Sequence, residues 1–249
     1  VFDEPRKLLL SYDLEYYDKI DTLPNAQNVG APFTRLLTGE IGLHYTDARR
    51  SSGAVDDEKG IVWNVVGKAN RVKDETPSQI RGSFDYGFPV PLPHSSIWLR
   101  SAAGIGTGRR DDPVANFYFG GFGNNYVDRL SVKRYRDYSS MPGFDIDEIG
   151  GLNFARQMIE WNLPPVIFES VGTPAFYLNW LRPAVFATGL WTDVTSAARR
   201  QNYQSVGTQV DLRFSVLHWS EMTLSVGYAL GFRDAHRASS EWMVSLKIF

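Results

Sequence analysis

The side chains whose types and spacing could do chemistry are four histidines, a pair of arginines flanked by tyrosines, and two acids on strand-like segments. His44, His94, His218 and His236 have no metal-ligand spacing among them. His94 and His218 fall in predicted turns, and His236 in a predicted loop. His44 shares a strand face with Glu40 at i,i+4, about 13 Å away by strand rise. That is too far for a direct acid–base dyad, and a hydrogen bond on the same face is the expected role of His44. The run Gly104-Ile105-Gly106-Thr107-Gly108 ends a strand and opens no helix, so it reads as close strand approach or a bend and not as a nucleotide loop. There are no cysteines, which removes disulfides, thiolate zinc sites and cysteine nucleophiles together. The chain is expected to be no enzyme and to hold no metal and no cofactor. Its net charge of −2 gives no polyanion signal, and no nucleic-acid partner is expected.

What remains is the connection 108–151, which holds Val132-Lys133-Arg134-Tyr135-Arg136-Asp137-Tyr138 and is too long for a simple turn. Such loops are usually functional. Arginines folded into a polar, partly solvated lumen would stay charged and seek a carboxylate. Glu160 and Asp211, each on the polar face of its strand, are the candidates.

The elements that must position these groups show alternation with a period of two. Met222, Leu224, Val226, Tyr228, Leu230 and Phe232 share one face, and Thr223, Ser225, Gly227, Ala229 and Gly231 the other. Val206, Val210, Leu212, Phe214 and Val216 oppose Gln209, Asp211 and Arg213. Ile80, Phe84, Tyr86 and Phe88 oppose Gln79, Arg81, Ser83 and Asp85. Leu8, Leu10, Tyr12, Leu14 and Tyr16 oppose Ser11, Asp13 and Glu15. Leu37, Ile41, Leu43 and Tyr45 oppose Glu40 and His44. Ile159, Trp161 and Leu163 oppose Arg156, Glu160 and Asn162. Strands are expected at 7–18, 35–47, 60–72, 78–90, 95–107, 152–163, 175–191, 205–217, 221–233 and 241–249, with 116–122 either a further strand or part of the long loop.

These segments run about 10–13 residues, where soluble strands usually run about 5–6 and a tilted strand crossing a bilayer needs about 9–11. Aromatic residues reach 14%, as in a membrane barrel with aromatic girdles. No stretch is long and apolar enough for a transmembrane helix. The expectation is an all-β, antiparallel transmembrane β-barrel forming one domain over 1–249, with its apolar faces on outer-membrane lipid. Short connections at 91–95 and 218–221 alternate with long ones at 18–34, 108–151 and 192–204. Two connections, the polar 48–59 and 164–174, are long for the end of the barrel on which they fall. No signal peptide is visible in the opening Val1-Phe2-Asp3-Glu4-Pro5, which has neither Met nor an apolar h-region, and the chain is expected to be a mature product or a piece of something longer.

Phe117-Tyr118-Phe119-Gly120-Gly121-Phe122-Gly123, the Arg134–Tyr138 segment, Pro142-Gly143 and Ile149-Gly150-Gly151 follow one another and lead to Ile159-Glu160-Trp161-Asn162-Leu163-Pro164. This order resembles the outer-membrane assembly-factor superfamily, the BamA-like and TamA-like bacterial surface antigens and two-partner-secretion transporters. Within it the sequence is most similar to C-terminal barrels fused to a TolB-like β-propeller. The resemblance covers 105–249 and extends over the first hundred residues by strand style alone. It implies a 16-stranded barrel of which this chain is the C-terminal part, six strands lying upstream of Val1. It also implies that the long loop folds into the lumen, with Arg134, Arg136 and Tyr138 as the loop side of a contact to Glu160 or Asp211. The terminal aromatic, Phe249, is implied to be an assembly signal. Two positions depart from the family pattern. Either Arg136-Asp137-Tyr138 or Arg134-Tyr135 stands where an Arg-Gly-aromatic tip belongs, and Ala187 stands where an aspartate precedes Gly189.

The implied function is insertion or translocation of proteins at the outer membrane of a Gram-negative cell, with client or secreted proteins as partners. The alternative is a passive pore, or a membrane anchor for an N-terminal periplasmic domain or a partner complex.

Overall fold

A computed structural model of the chain describes residues 6–20, 33–123, 127–217, 219–234 and 236–249. In chain order its strands are β1 (Lys7–Asp18), β2 (Arg35–Arg49), β3 (Lys59–Arg71), β4 (Ser78–Pro89), β5 (Ser96–Gly106), β6 (Phe117–Phe119), β7 (Val127–Asp128), β8 (Ile149–Gly151), β9 (Asn153–Asn162), β10 (Val166–Ile167), β11 (Gly172–Thr173), β12 (Phe176–Thr192), β13 (Gln201–Val216), β14 (Ser220–Arg233) and β15 (His236–Ile248). The long ones run from 10 residues in β9 to 17 in β12. They form an antiparallel meander in the order β1-β2-β3-β4-β5-β9-β12-β13-β14-β15. With β7, β10 and β11 attached, this is a 13-stranded sheet, and β6 and β8 make a separate pair. Among the described residues β1 pairs with β2 alone, while β15 pairs with β14 and, through Leu246 and Lys247, with β7. No ladder joins β1 to β15 among the described residues.

The period-two pattern puts Val210, Val226 and Val244 side by side across β13, β14 and β15. Burial is the reverse of a water-soluble sheet. Gln209, Asp211, Thr223, Ser225, Ser245 and Lys247 are buried, while Val206 is 54% exposed, Val244 60% and Trp242 70%. The outward face repeats this in β1, β2 and β4, through Tyr12, Leu14, Ile41, Leu43, Ile80 and Phe84. Contiguous apolar surface on this scale has a large transfer cost in water.

The polar face is covered because the connection between β5 and β9 folds back over it. Its apolar residues pack on the few apolar side chains that the strands turn the same way. Phe117, Phe119, Met141, Phe144 and Ile149 meet Phe154, Leu190 and Tyr203. Phe122 and Tyr135 meet Met158, Phe186, Ala229 and Met243. The small face of β14 makes room for them. A Cβ on Gly227 would lie 2.8 Å from the Phe122 ring, and one on Gly231 would lie 2.7 Å from the Gly143 carbonyl. Gly143 itself has φ of 96°, where an L side chain is strained.

Several expected boundaries move. The segment expected at 116–122 is strand only over β6, off the main sheet. β13 begins at Gln201 and not at 205, and β15 at His236 and not at 241. Gln201, Asn202, His236 and Arg237 read as loop because they are polar. Ladder partners at Thr192, Trp191, Arg233 and Phe232 override that tendency. The connection expected at 192–204 therefore shrinks, and His236 belongs to a strand. The expected connection 164–174 carries β10 and β11, which fold back on β12. His218 lies outside the described residues.

Candidate functional site

Arg134–Arg136 forms a single 3-10 turn, so successive side chains leave it in different directions. Tyr135 goes into the apolar cluster and stacks on Phe186 with ring centroids 4.5 Å apart. Arg136 goes to β9, where alternation presents Arg156, Met158, Glu160 and Asn162 toward the loop. Its Nε lies 3.0 and 3.1 Å from the two Glu160 carboxylate oxygens, and its Nη2 lies 2.8 Å from Oε1. Glu160 is fully buried and also accepts from the Tyr135 hydroxyl at 2.7 Å and from Arg100 Nε at 2.9 Å. Arg100 in turn bonds Asp85.

A second acid reaches the same guanidinium from the connection between β2 and β3. Asp56 accepts from Arg136 Nη2 at 2.8 Å, and lies 3.3 Å from Arg182 Nη1 and 3.7 Å from Lys133 Nζ. Lys133 donates to Asn162 Oδ1 at 2.6 Å and stands 3.9 Å from both Glu160 and Asp211. Asp211 is held by Gln209 Nε2 and Ser225 Oγ, each at 2.7 Å. Buried charges persist only when paired and hydrogen-bonded; Asp56, Glu160 and Asp211 each meet that condition, from three different elements.

The loop groups feel the cluster strongly. Burial pushes the Lys133 ammonium down to about 8, with Arg136 and Arg182 adding repulsion against the pull of Asp56 and Glu160. For Asp56 burial acts upward, but Arg136, Lys133 and Arg182 outweigh it and hold the carboxyl well below the usual range. Arg136 is likewise opposed by burial and raised by Asp56 and Glu160. Tyr135 is pushed up by burial and by Glu160.

Of the residues singled out from sequence, the structure brings Arg136 onto Glu160. It leaves Arg134 apart, partly exposed and 3.7 Å from Asp137. Tyr138 does not line the loop arginines. It lies under Arg81 of β4, whose guanidinium carbon is 4.6 Å from the ring centre. Asp211 meets Lys133 and neither loop arginine. Phe249 packs its ring under Arg213 at 4.4 Å, and its N–H donates to the Glu221 carbonyl at 2.9 Å. Ala187 is on the face away from the loop, between loop-facing Phe186 and Thr188, so an acid at that position would not reach the cluster. His44 is exposed, and no hydrogen bond to it is found among the described residues.

Sequence reasoning missed Lys133, Asp56, Arg100, Arg182 and Glu241. Lys133 stood in the same basic run, and Asp56 in the polar connection whose length was out of place. Glu241 accepts the backbone N–H of Phe122 at 3.2 Å and of Gly143 at 3.0 Å, pinning the loop to β15. A Ser51–His94–Glu58 contact resembles a relay only superficially. Ser51 Oγ at 3.3 Å and Glu58 Oε1 at 3.1 Å approach the same nitrogen, His94 Nδ1, whereas a relay needs one partner on each. No cluster of metal-ligating side chains occurs among the described residues. Compared with protein-family models, curated proteins and solved structures, the chain finds no match in any of the three. What the arrangement does chemically is hold a loop: it fixes 133–136 on the sheet by charge-assisted bonds.

Proposed function

We propose that the chain is part of an outer-membrane β-barrel that assists insertion or translocation of proteins, its sheet curving around a lumen into which the long loop is folded. The observation that carries the membrane reading is the inverted sheet: apolar side chains outward, polar and charged ones buried. In hydrocarbon the outward face becomes favourable, and long antiparallel strands satisfy their own backbone groups. The observation that favours assembly work over a bare scaffold is the loop. A loop held through Arg136, Lys133, Tyr135 and Glu241 against four strands, β9, β12, β13 and β15, is a positioned part, and its sequence order resembles that of assembly-factor barrels. The lipid of the outer membrane and client proteins are the partners in this reading.

A second reading, a passive pore or an anchor for a periplasmic domain or partner complex, draws on Ala187 and on the missing tip glycine. Both depart from the assembly pattern without disturbing the packing. Proteoliposomes carrying the full-length protein decide between them. The assembly reading expects faster folding of a second outer-membrane barrel into those liposomes than into protein-free ones, and loss of the gain with Glu160→Gln. A protein that inserts and conducts but never speeds a client is the pore or anchor.

A further inference from the structure

The outward face is not uniformly raised. Across β3, β4, β5, β9 and β12, neighbouring rungs of the sheet carry small side chains at their centre. One rung runs Val65, Gly82, Ala103, Ala155, Trp191, and the next Trp63, Phe84, Ser101, Gln157, Gly189. Together they form an open groove of about 620 Å³. Gly82, Ser101, Ala103 and Ala155 keep its floor low. Exposed Ile80 and Ile105 bank it on one side, and exposed Tyr86, Leu99 and Ile159 on the other. Trp63 stands at one end. Trp191 closes the other end with its ring laid over Gly189, where a Cβ would lie 3.0 Å from the ring.

The lining selects an uncharged, apolar occupant. Neither rung carries a charged side chain. Arg156 borders the groove but turns its guanidinium to the opposite face, onto the Tyr135 carbonyl at 3.0 Å. The polar groups of the floor are turned on the protein itself. Ser101 Oγ donates to Gln157 Oε1 at 2.7 Å, and Gln157 Nε2 to the Met158 carbonyl at 3.5 Å. Each of these strands is paired on both sides, so no edge is open there to an added strand. From β3 to β12 the groove spans about 19 Å at the usual strand spacing. Strands tilted by about 35–45° incline it to the bilayer, and the hydrocarbon of one leaflet is about 15 Å deep. We infer that the groove seats one acyl chain of a bilayer lipid, lying aslant across the strands between Trp63 and Trp191. The inference rests on the membrane reading and not on assembly work.

The test reconstitutes the full-length protein in vesicles of phosphatidylcholine with plain or brominated acyl chains, then moves it into detergent micelles and washes it by gel filtration. One-to-one retention of phosphatidylcholine is expected by mass spectrometry. Tryptophan fluorescence should be dimmer after the brominated lipid, and the dimming smaller in Trp191→Phe. Gly82→Leu fills the floor without strain, because a Cβ there meets nothing nearer than 3.6 Å, and Ala103→Phe fills it from β5. Both should lose the retained lipid and the dimming. Val244→Phe, on the outward face of β15 away from the groove, should keep them. A wild-type protein that inserts but retains no lipid overturns the inference and leaves the membrane reading standing. If that lipid-free protein runs as a dimer, the groove belongs to a second copy. Retention undiminished in both groove variants, or dimming unchanged in Trp191→Phe, overturns the inference as well. A wild type that does not insert overturns the membrane reading and the inference with it. Should neither groove variant fold, the wild type and Trp191→Phe decide.

Discussion

Arg136 and Glu160 meet edge to edge: two guanidinium nitrogens of the loop lie within 3.1 Å of a strand carboxylate that has no contact with solvent. Removing one partner of such a pair strands the other, at a cost of about 3–5 kcal/mol. In Glu160→Gln three cations, Arg136, Arg100 and Lys133, lose a shared counter-ion. Protease cleavage within 129–140 should become faster and pore conductance should rise, while amide protection in β13–β15 stays. A loop as protected as in the wild type would show that Glu160 does not hold it.

Val226 sits mid-strand on the outward face between Val210 and Val244. Lysine there should cost about 2–4 kcal/mol of refolding stability in bilayers. His44→Lys, on the opposite face and exposed, should be near neutral. The reverse order of effects would turn the sheet inside out.

Among the described residues β1 and β15 are not paired to each other, and no closure of the sheet is found. The natural sequence has no cysteine, so Tyr12→Cys with Val244→Cys reports cleanly. No disulfide should form between them in the folded protein. An efficient crosslink would mean that these two strands are neighbours and that the barrel is complete without further strands.

Lys133 gives a pH signature. Its ammonium is held down to about 8, and in an unfolded chain it titrates near about 10.4. Between those values the unfolded state binds the extra proton, so the Lys133 contribution to stability rises with pH there and is flat below. Lys133→Met lacks this term. The stability of the wild type relative to that variant, measured by thermal unfolding in detergent, should therefore improve from about pH 8 to about pH 10. A difference that does not change over that interval contradicts the buried placement of the amine.

The strands were legible because each has only two faces and the outward one is uniformly apolar, as in Met222–Phe232. Their ends were less so. Gln201-Asn202 and His236-Arg237 carry loop composition, and pairing to β12 and β14 decides their state. A contact from Arg134 or Arg136 to Glu160 was legible because the basic run 133–136 stands in a long loop entering a strand with one inward acid; which arginine makes it was not. Arg100 and Arg182 were not, since an arginine on a polar strand face looks the same whether it faces water or an ion cluster. Asp56 was hidden for another reason: nothing in one dimension tells that 50–58 turns under the sheet and meets a loop arriving from elsewhere. The apolar layer of Phe154, Met158 and Phe186 was missed because it interrupts a face otherwise polar, and its purpose exists only once Phe119 and Tyr135 lie on it.

Asp56 and Arg136 come from opposite ends of the strands. The 50–58 connection leaves β2 at the rim shared with the β4–β5 and β13–β14 turns, while the long loop leaves β5 at the other rim. Their contact is therefore made near the rim of the 50–58 connection, where Glu160 lies two residues from the end of β9, and the loop must descend the height of the sheet to reach it. Two connections that never meet along the sheet are thus joined by one guanidinium, so the placement of each depends on that of the other.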